Sequence, residues 1–124
     1  MKGIPVAALC ALRAANRGGD VVVATSTDPS DDVLSGKLSE YSIRVIRGPL
    51  NDVLGRFVVA TADLAADDLV VRLTADNVFP DGEFIERLVR EFRSTGADYL
   101  GTNPPLDGLP YGVSAEVFSV RILR

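Results

Sequence analysis

Apolar positions along the chain alternate between a helical spacing and short continuous runs. Val6, Leu9 and Leu12 follow Pro5 at helical spacing, and the pattern stops at a pair of glycines, residues 18–19. The next run, DVVVATS over residues 20–26, is rich in valine, as is typical of a strand buried on both faces. The pattern therefore predicts a helix followed by a strand.

The same succession continues in the middle of the chain. Leu34 and Leu38 predict a second helix, and residues 43–47 predict a second strand. Asn51 is expected to cap a third helix. The predicted buried stripe of that helix consists of Val53, Leu54, Phe57, Val58, Thr61 and Leu64.

A third strand is predicted over residues 69–74, and the clearest helix of the chain follows it. Asp81 is a typical N-cap for this helix, and Gly96 is its natural end. Its buried face is expected to comprise Phe84, Ile85, Leu88, Val89 and Phe92.

The last part of the chain contains fewer helical signals. We expect a short strand over residues 98–101, a loop rich in Pro and Gly over residues 103–112, and a strand over residues 113–120. Because helices and strands alternate, the predicted fold class is α/β. We expect one domain over residues 1–124, built as a three-layer, mostly parallel sheet with helices on both faces.

Composition excludes several classes of function. The net charge is −4 and no block of basic residues stands out, so nucleic acid is not an expected partner. No apolar run reaches the roughly 20 residues of a membrane span, so no membrane association is expected. The chain has no histidine and one cysteine, Cys10, which excludes the usual zinc sites, Ser-His catalysis and an internal disulfide. We therefore expect a cytoplasmic protein, with Cys10 a small core residue.

Asp76 is the strongest candidate for a catalytic or metal-binding residue. It follows the predicted third strand, and ligands of open α/β sheets bind just beyond the carboxyl ends of strands. A carboxylate at this place can hold a divalent metal against a substrate phosphate. The alternative is that Asp76 simply begins a turn together with Asn77.

Four segments together resemble a known family. They are ATSTDPSDD (residues 24–32), RGPLNDVLGRF (47–57), VVRLTAD (70–76) and GVSAEVFS (112–119). In this order they resemble cytidylyltransferases of the CMP-sugar-acid synthetase type, nearest to the spore coat polysaccharide biosynthesis homologues. The resemblance implies a nucleotide-diphosphosugar-transferase-like α/β fold. It also implies transfer of CMP from CTP to a sugar-acid hydroxyl, with Mg²⁺ and release of pyrophosphate.

The resemblance assigns roles to five residues. Asp76 matches the catalytic carboxylate that binds the metal, and Asp52 and Arg56 match the border of the base and sugar pocket. Arg72 lies on the strand that leads to the site, and Glu116 matches an acidic position on the acceptor side. Three of the last four also have a structural alternative: Asp52 adds charge at a helix start, Arg56 is solvated, and Glu116 faces solvent on an edge strand. Arg72 lies within an apolar run, so it is either partly buried and paired or at the mouth of a pocket.

The chain also departs from the family pattern. The resemblance implies a preceding strand and a Gly-rich basic loop that holds the triphosphate, an aspartate at the position of Ser114, and further chain after Arg124. We therefore expect a truncated homologue with impaired or no autonomous catalysis, able to bind CTP or a sugar nucleotide. The alternative is a non-catalytic α/β module that binds a sugar nucleotide or a protein partner.

The implied preceding strand lies between the strands over residues 21–26 and 69–74. Without it, both strands would leave backbone N–H and C=O groups unpaired. Two outcomes remain open: the two strands pair directly, or another copy of the chain fills the gap. Since the chain is also rather apolar for its size (47% hydrophobic), a homo-oligomer is expected.

Overall fold

The computed structural model describes residues 3–104, 106–110 and 113–124. Four α-helices and five strands alternate through most of this part of the chain. The helices are α1 (Val6–Ala14), α2 (Asp32–Glu40), α3 (Val53–Ala60) and α4 (Gly82–Thr95), and the strands are β1 (Val22–Ser26), β2 (Arg44–Gly48), β3 (Leu69–Arg72), β4 (Tyr99–Gly101) and β5 (Glu116–Ser119). Two 3₁₀ turns complete the set, the first over Pro29–Asp31 and the second over Val120–Leu123. Each predicted helix and strand is thus present, most with somewhat shorter bounds.

The strands form two sheets rather than the predicted mostly parallel one. β1 and β2 pair in parallel, whereas β5 lies between β3 and β4 and runs antiparallel to both. Among the residues that the structure describes between β4 and β5 (102–104, 106–110 and 113–115) no helix is present, and parallel neighbours need a crossover connection that is usually helical. The mixed α/β character is correct, but the mostly parallel sheet is not confirmed.

β1 and β3 do not pair with each other in the described part of the chain. Helices connect the two sheets instead: α3 packs on β1 and β2 and also on the second 3₁₀ turn, while α1 packs on α2 and α4. The valines of β1 and β3, Val22, Val23, Val70 and Val71, remain half-buried. Direct pairing of the two strands was therefore the wrong alternative, and filling of the gap by another copy stays a prediction.

Local signals explain where the helices begin and end. The Asp81 carboxylate caps α4 by accepting a hydrogen bond from the Phe84 N–H at 2.9 Å, and Gly96 ends the helix with a φ of 66°. Helix α3 is capped by Asp52, whose Oδ1 accepts from the Gly55 N–H at 2.8 Å. The prediction that Asn51 caps α3 was wrong by one residue.

Helix α3 is apolar, yet none of its residues is buried. Leu54 is 62% exposed and Val53 46%, although both belong to the predicted buried stripe; of that stripe, Thr61 alone is buried, just beyond the helix end. The hydrophobic core lies elsewhere, among residues of α1, α2, α4 and β5. Its members include Ala8, Cys10, Ala11, Leu38, Phe92, Val117, Phe118 and Val120.

Membrane spanning requires a long apolar helix. Within the residues that the structure describes, no helix is both long enough and apolar enough to cross a bilayer.

Two helical glycines lead to a test of the Asp52 cap. A Cβ at Gly36 in α2 meets nothing within 4 Å, whereas a Cβ at Gly55 would lie 2.1 Å from Asp52 Oδ2. We expect Gly36→Ala to raise the free energy of unfolding by about 0.5–1 kcal/mol through helix propensity. Gly55→Ala should give no net gain, because it displaces a cap that contributes about 1 kcal/mol.

Urea denaturation of both variants measures the difference. The Asp52→Ala change provides the control: it should cost about 1 kcal/mol in the natural background and almost nothing beside Gly55→Ala. An equal gain from both glycine substitutions would contradict the role of the cap.

Candidate functional site

Asp76 lies on a short turn that follows β3. The Asn77 N–H donates to the Thr74 carbonyl at 3.1 Å, which closes the turn. Asp76 is exposed, while Asn77 is buried and points the other way. The Asn77 amide nitrogen donates to the carbonyl oxygen of Ser114 at 2.5 Å and to its hydroxyl at 3.0 Å. The turn that contains Asp76 is therefore hydrogen-bonded to the segment that precedes β5.

Helix α1 holds the other side of this turn through three polar residues. The Cys10 thiol donates to the Ala75 carbonyl at 3.1 Å, and Arg13 Nη2 donates to the Phe79 carbonyl at 3.1 Å. Asn16 Oδ1 accepts from the N–H of Gly82 at 2.9 Å, at the start of α4. Cys10 and Arg13 lie three positions apart in α1 and therefore on the same side of it, and Asn16 lies just beyond the end of the helix.

These α1 contacts were missed in the sequence analysis. The available signal was the recurrence of polar or sulfur-containing side chains at positions 10, 13 and 16 of an otherwise alanine-rich helix. The thiol itself is buried, as predicted. Burial, and secondarily the negative charge of Asp76, raise the pKa of Cys10, so the thiol stays protonated and able to donate.

A second polar cluster lies on β3, β4 and β5. Arg72 and Glu116 are directly opposite each other in the antiparallel ladder and form an ion pair between Nη1 and Oε2. The Tyr99 hydroxyl donates to Glu116 Oε1 at 2.6 Å. Gly101 is the β4 residue opposite Glu116, and a Cβ there would lie 2.9 Å from the Tyr99 hydroxyl oxygen. Glycine at this position thus leaves the space through which Tyr99 reaches the carboxylate.

The cluster corrects the prediction for Glu116 and shows how Arg72 is paired. Glu116 lies on the central strand of its sheet, so its assignment to a solvent-facing edge strand was wrong. Arg72 is paired with Glu116, and its guanidinium also lies over the Phe57 ring, 5.7 Å from the ring centroid. The hydrogen bond from Tyr99, followed by the one from Arg72, lowers the pKa of Glu116, while the same bond to Glu116 raises the pKa of Tyr99.

Arg72 and Glu116 separate two concave regions. One is a polar cavity of about 140 Å³, and the other is a mainly apolar groove of about 390 Å³ beside α3. The cavity is lined by Arg72, Thr74, Thr102, Ser114, Ala115 and Glu116. The groove is lined by Val53, Leu54, Phe57, Arg72, Tyr99, Glu116, Phe118, Ile122 and Leu123. Asp76 lines neither region, but Thr74 of its turn lines the polar cavity.

Asp52 and Arg56 have structural contacts in the turn between β2 and α3. Asp52 caps α3, and Arg56 Nη1 donates to the carbonyls of Pro49 at 3.1 Å and Leu50 at 3.0 Å. Arg56 is half-buried, so the solvated alternative was wrong. Neither residue lines the cavity or the groove, and their predicted contact with base and sugar stays a prediction.

The side chains that are available as metal ligands limit how a metal could be bound. In the described ranges, no group of three or more His, Cys, Asp or Glu side chains converges on one point. Mg²⁺ is commonly held by one or two carboxylates, with water and substrate phosphates completing its octahedron. The exposed carboxylate of Asp76 fits that mode of binding and not an all-protein cage.

Comparison with known proteins identifies the family. Residues 2–110 match the family model of the cytidylyltransferases. The chain belongs to the cytidylyltransferase family. This cytidylyltransferase chain is 31% identical over 104 residues to the spore coat polysaccharide biosynthesis protein SpsF of Bacillus subtilis, and 30% identical over 113 residues to the uncharacterised protein MJ1063 of Methanocaldococcus jannaschii.

Coverage of these relatives is partial. The matches include 84% and 91% of this chain but 41% and 44% of the two relatives, so the chain spans less than half of their length. A solved cytidylyltransferase from Leptospira borgpetersenii superposes with a TM-score of 0.79 at 24% identity, over 95% of this chain and 50% of that one. This structural match establishes the fold.

The lowered pKa of Glu116 predicts a pH dependence of stability. Since the folded pKa lies below the ordinary value of about 4.3, the carboxylate stabilises the fold above that value, and this contribution is lost as pH falls through the lowered folded pKa. We expect Glu116→Gln to reduce the free energy of unfolding by about 1 kcal/mol at pH 7. The difference between the variant and the natural chain should become smaller as the pH is lowered from 7 to about 3.

Thermal unfolding followed by circular dichroism between these two pH values measures the effect. Glu86→Gln on the exposed side of α4 is the charge-matched control and should leave the pH dependence unchanged. An equal destabilisation by Glu116→Gln at both pH values would show that the ionised form of Glu116 contributes nothing.

Proposed function

We propose that this chain contributes the metal-binding and acceptor-side residues of a cytidylyltransferase. The reaction is transfer of a cytidylyl group from CTP to a hydroxyl of a sugar acid, with Mg²⁺ and release of pyrophosphate. The main support is the Asp76 turn, which contacts α1 on one side and Ser114 on the other. Phosphoryl transfer depends mostly on positioning and charge neutralisation, and such a fixed carboxylate serves both needs.

The metal would be held by the carboxylate of Asp76 together with water and the phosphates of CTP. When bound, Mg²⁺ neutralises charge on the phosphates and favours departure of pyrophosphate. The contribution of the chain is to hold Asp76 at the end of β3 and to fix the direction of the turn. Cys10 and Arg13 do this through the carbonyls at 75 and 79, so their side chains position Asp76 without contacting substrate.

The polar cavity is the proposed place for the acceptor. Thr74, Thr102 and Ser114 provide hydroxyl groups there, and Arg72 and Glu116 form one wall. Arg72 uses Nη1 for its pair with Glu116 and has further N–H donors suited to a carboxylate. A hydroxylated acid therefore matches the chemistry of the lining better than an apolar compound does.

Ser114 is the reason to propose weak or absent catalysis by this chain. The resemblance to the family implies an aspartate at this position, which would offer a second carboxylate near Asp76. Here the serine hydroxyl and carbonyl both accept hydrogen bonds from Asn77 instead. The proposed metal site then lacks this second carboxylate, so we expect binding of CTP with Mg²⁺ to be easier to detect than turnover.

A calorimetric titration tests this proposal. We expect CTP with Mg²⁺ to bind with a Kd tighter than about 1 mM. Asp76→Asn should weaken binding about tenfold, because it removes the charge that attracts the metal while preserving the shape of the side chain. The matched control is Asp20→Asn, which removes an exposed aspartate just before β1.

The possible outcomes separate the two functional hypotheses. Binding that requires both Mg²⁺ and Asp76 supports a cytidylyltransferase site. Binding of CTP that depends neither on Mg²⁺ nor on the Asp76 carboxylate would favour the hypothesis of a non-catalytic module that binds a sugar nucleotide. Absence of binding by the natural chain would contradict both forms of nucleotide recognition.

A further inference from the structure

We propose that the polar cavity binds the carboxylate group of the acceptor through the free edge of the Arg72 guanidinium, and that Tyr99 holds this guanidinium in place through Glu116. Tyr99 does not line the cavity, so it is a positioning residue that controls selectivity for acids without contacting the acceptor. The inference rests on the proposed function. It adds which group of the acceptor enters the cavity and which residue outside the cavity controls its affinity.

The Arg72 side chain is held from two sides, and part of its donor set remains available. Nη1 donates to Glu116 Oε2, and the guanidinium lies over the Phe57 ring, 5.7 Å from the ring centroid. Within the described residues, Nε and Nη2 of Arg72 donate no hydrogen bond to the protein. A guanidinium edge with two parallel N–H groups matches the two oxygens of a carboxylate. Arg72 therefore offers the cavity a fixed edge with two donors.

Two hydroxyl groups of the cavity already accept hydrogen bonds from amide donors. Thr102 Oγ1 accepts from the Ala115 N–H at 3.0 Å. Ser114 Oγ accepts from the Asn77 amide nitrogen, also at 3.0 Å. A hydroxyl that accepts one hydrogen bond keeps its own proton to donate. Thr102 and Ser114 can therefore add donors to those of Arg72, and donors are what an anionic oxygen requires.

Glu116 is the acidic residue among those that line the cavity, and both of its carboxylate oxygens are occupied. Oε2 accepts from Arg72, and Oε1 accepts from the Tyr99 hydroxyl at 2.6 Å. The bond to Glu116 raises the pKa of Tyr99, so the phenol stays protonated and donates at neutral pH. Without this bond, the Glu116 carboxylate would be free to turn toward the remaining N–H groups of Arg72. It would then compete with the carboxylate of the acceptor for the same donors.

The charge balance of the cavity favours a carboxylate over a phosphate or a neutral group. Arg72 and Glu116 are the charged residues of its lining, and together they carry no net charge. A phosphate brings up to two negative charges and therefore a larger desolvation cost than a carboxylate does. A neutral polyol would leave the donor edge of Arg72 without an anionic partner. We therefore expect the cavity to distinguish an acid from a polyol of the same length.

NMR titrations of the ¹⁵N-labelled chain with D-gluconate and with sorbitol test the inference, at constant ionic strength and without CTP or Mg²⁺. Gluconate carries a carboxylate on a hydroxylated carbon chain, and sorbitol is its neutral counterpart. We expect gluconate to shift the Arg72 Nε–H resonance at millimolar concentrations, whereas sorbitol should leave it unchanged. Inorganic phosphate should bind at least about threefold more weakly than gluconate.

Tyr99→Phe removes the hydroxyl and keeps the ring. It should raise the gluconate Kd about three- to tenfold and leave the Kd of CTP with Mg²⁺ unchanged, a split that general loss of structure would not produce. Tyr41→Phe is the matched control: the Tyr41 hydroxyl donates to the Gly3 carbonyl at 3.3 Å, and Tyr41 does not line the cavity. Arg72→Lys keeps the positive charge but lacks the edge with two donors, so it should raise the gluconate Kd at least about tenfold.

The inference is overturned if gluconate leaves the Arg72 resonance unshifted, if sorbitol or phosphate binds as tightly as gluconate, or if Tyr99→Phe leaves the gluconate Kd unchanged. If Tyr99→Phe unfolds the chain, Arg72→Lys supplies the result, and an unchanged gluconate Kd in that variant also overturns the inference. Failure of gluconate binding while CTP still requires Mg²⁺ and Asp76 contradicts the carboxylate site alone. Failure of CTP binding while gluconate still binds contradicts the proposed transfer reaction and leaves the carboxylate site supported.

Discussion

The contacts between α1 and the segment that joins β3 to α4 determine the geometry of the candidate site. Two side chains of α1 donate to two backbone carbonyls of that segment, and Asn16, just beyond the helix end, accepts from one backbone N–H. Such bonds fix the path of the chain because they leave the backbone few alternatives. Asp76 itself makes no described hydrogen bond to another side chain, so its position follows from these bonds and from the attachment of Asn77 to Ser114. Phe92 in α4 and Ala8 in α1 are both buried in the core.

The two sheets have different relations to this site. The antiparallel sheet contributes Arg72 and Glu116 and thereby the wall of the polar cavity. The parallel sheet is fastened at its carboxyl end by Arg47, whose guanidinium donates to the Ser26 carbonyl at 2.7 Å and to Asp32 at 2.8 Å. Asp31 accepts hydrogen bonds from Ser26 and Thr25, which lower its pKa. The aspartates after β1 thus organise a turn and leave Asp76 as the exposed carboxylate of interest.

Local physical rules made most elements predictable from the sequence. The Asp81 cap and the Gly96 stop depend on residues within one turn of the helix, and both were found where expected. The place of β5 could not be predicted in the same way, because strand order depends on contacts between residues far apart in the sequence, such as Arg72 and Glu116, which are 44 positions apart. The prediction that α3 is buried was wrong for another reason. Helical spacing indicates which side of a helix is apolar, but it does not indicate whether other residues pack against that side. Among the site residues, the strand-end position of Asp76 was visible in the sequence, whereas the supporting roles of Arg13 and Asn16 required the packing of α1.

The shared wall between cavity and groove has a thermodynamic consequence. Glu116 Oε2 binds Arg72 and Oε1 binds Tyr99, so one carboxylate belongs to both concave regions. A molecule in the cavity that moves Glu116 would also change its hydrogen bond with Tyr99 at the groove. If two ligands are coupled in this way, each changes the affinity of the other by the same factor. The absence of a Cβ at Gly101 leaves room for this shared arrangement, because a Cβ there would lie 2.9 Å from the Tyr99 hydroxyl oxygen.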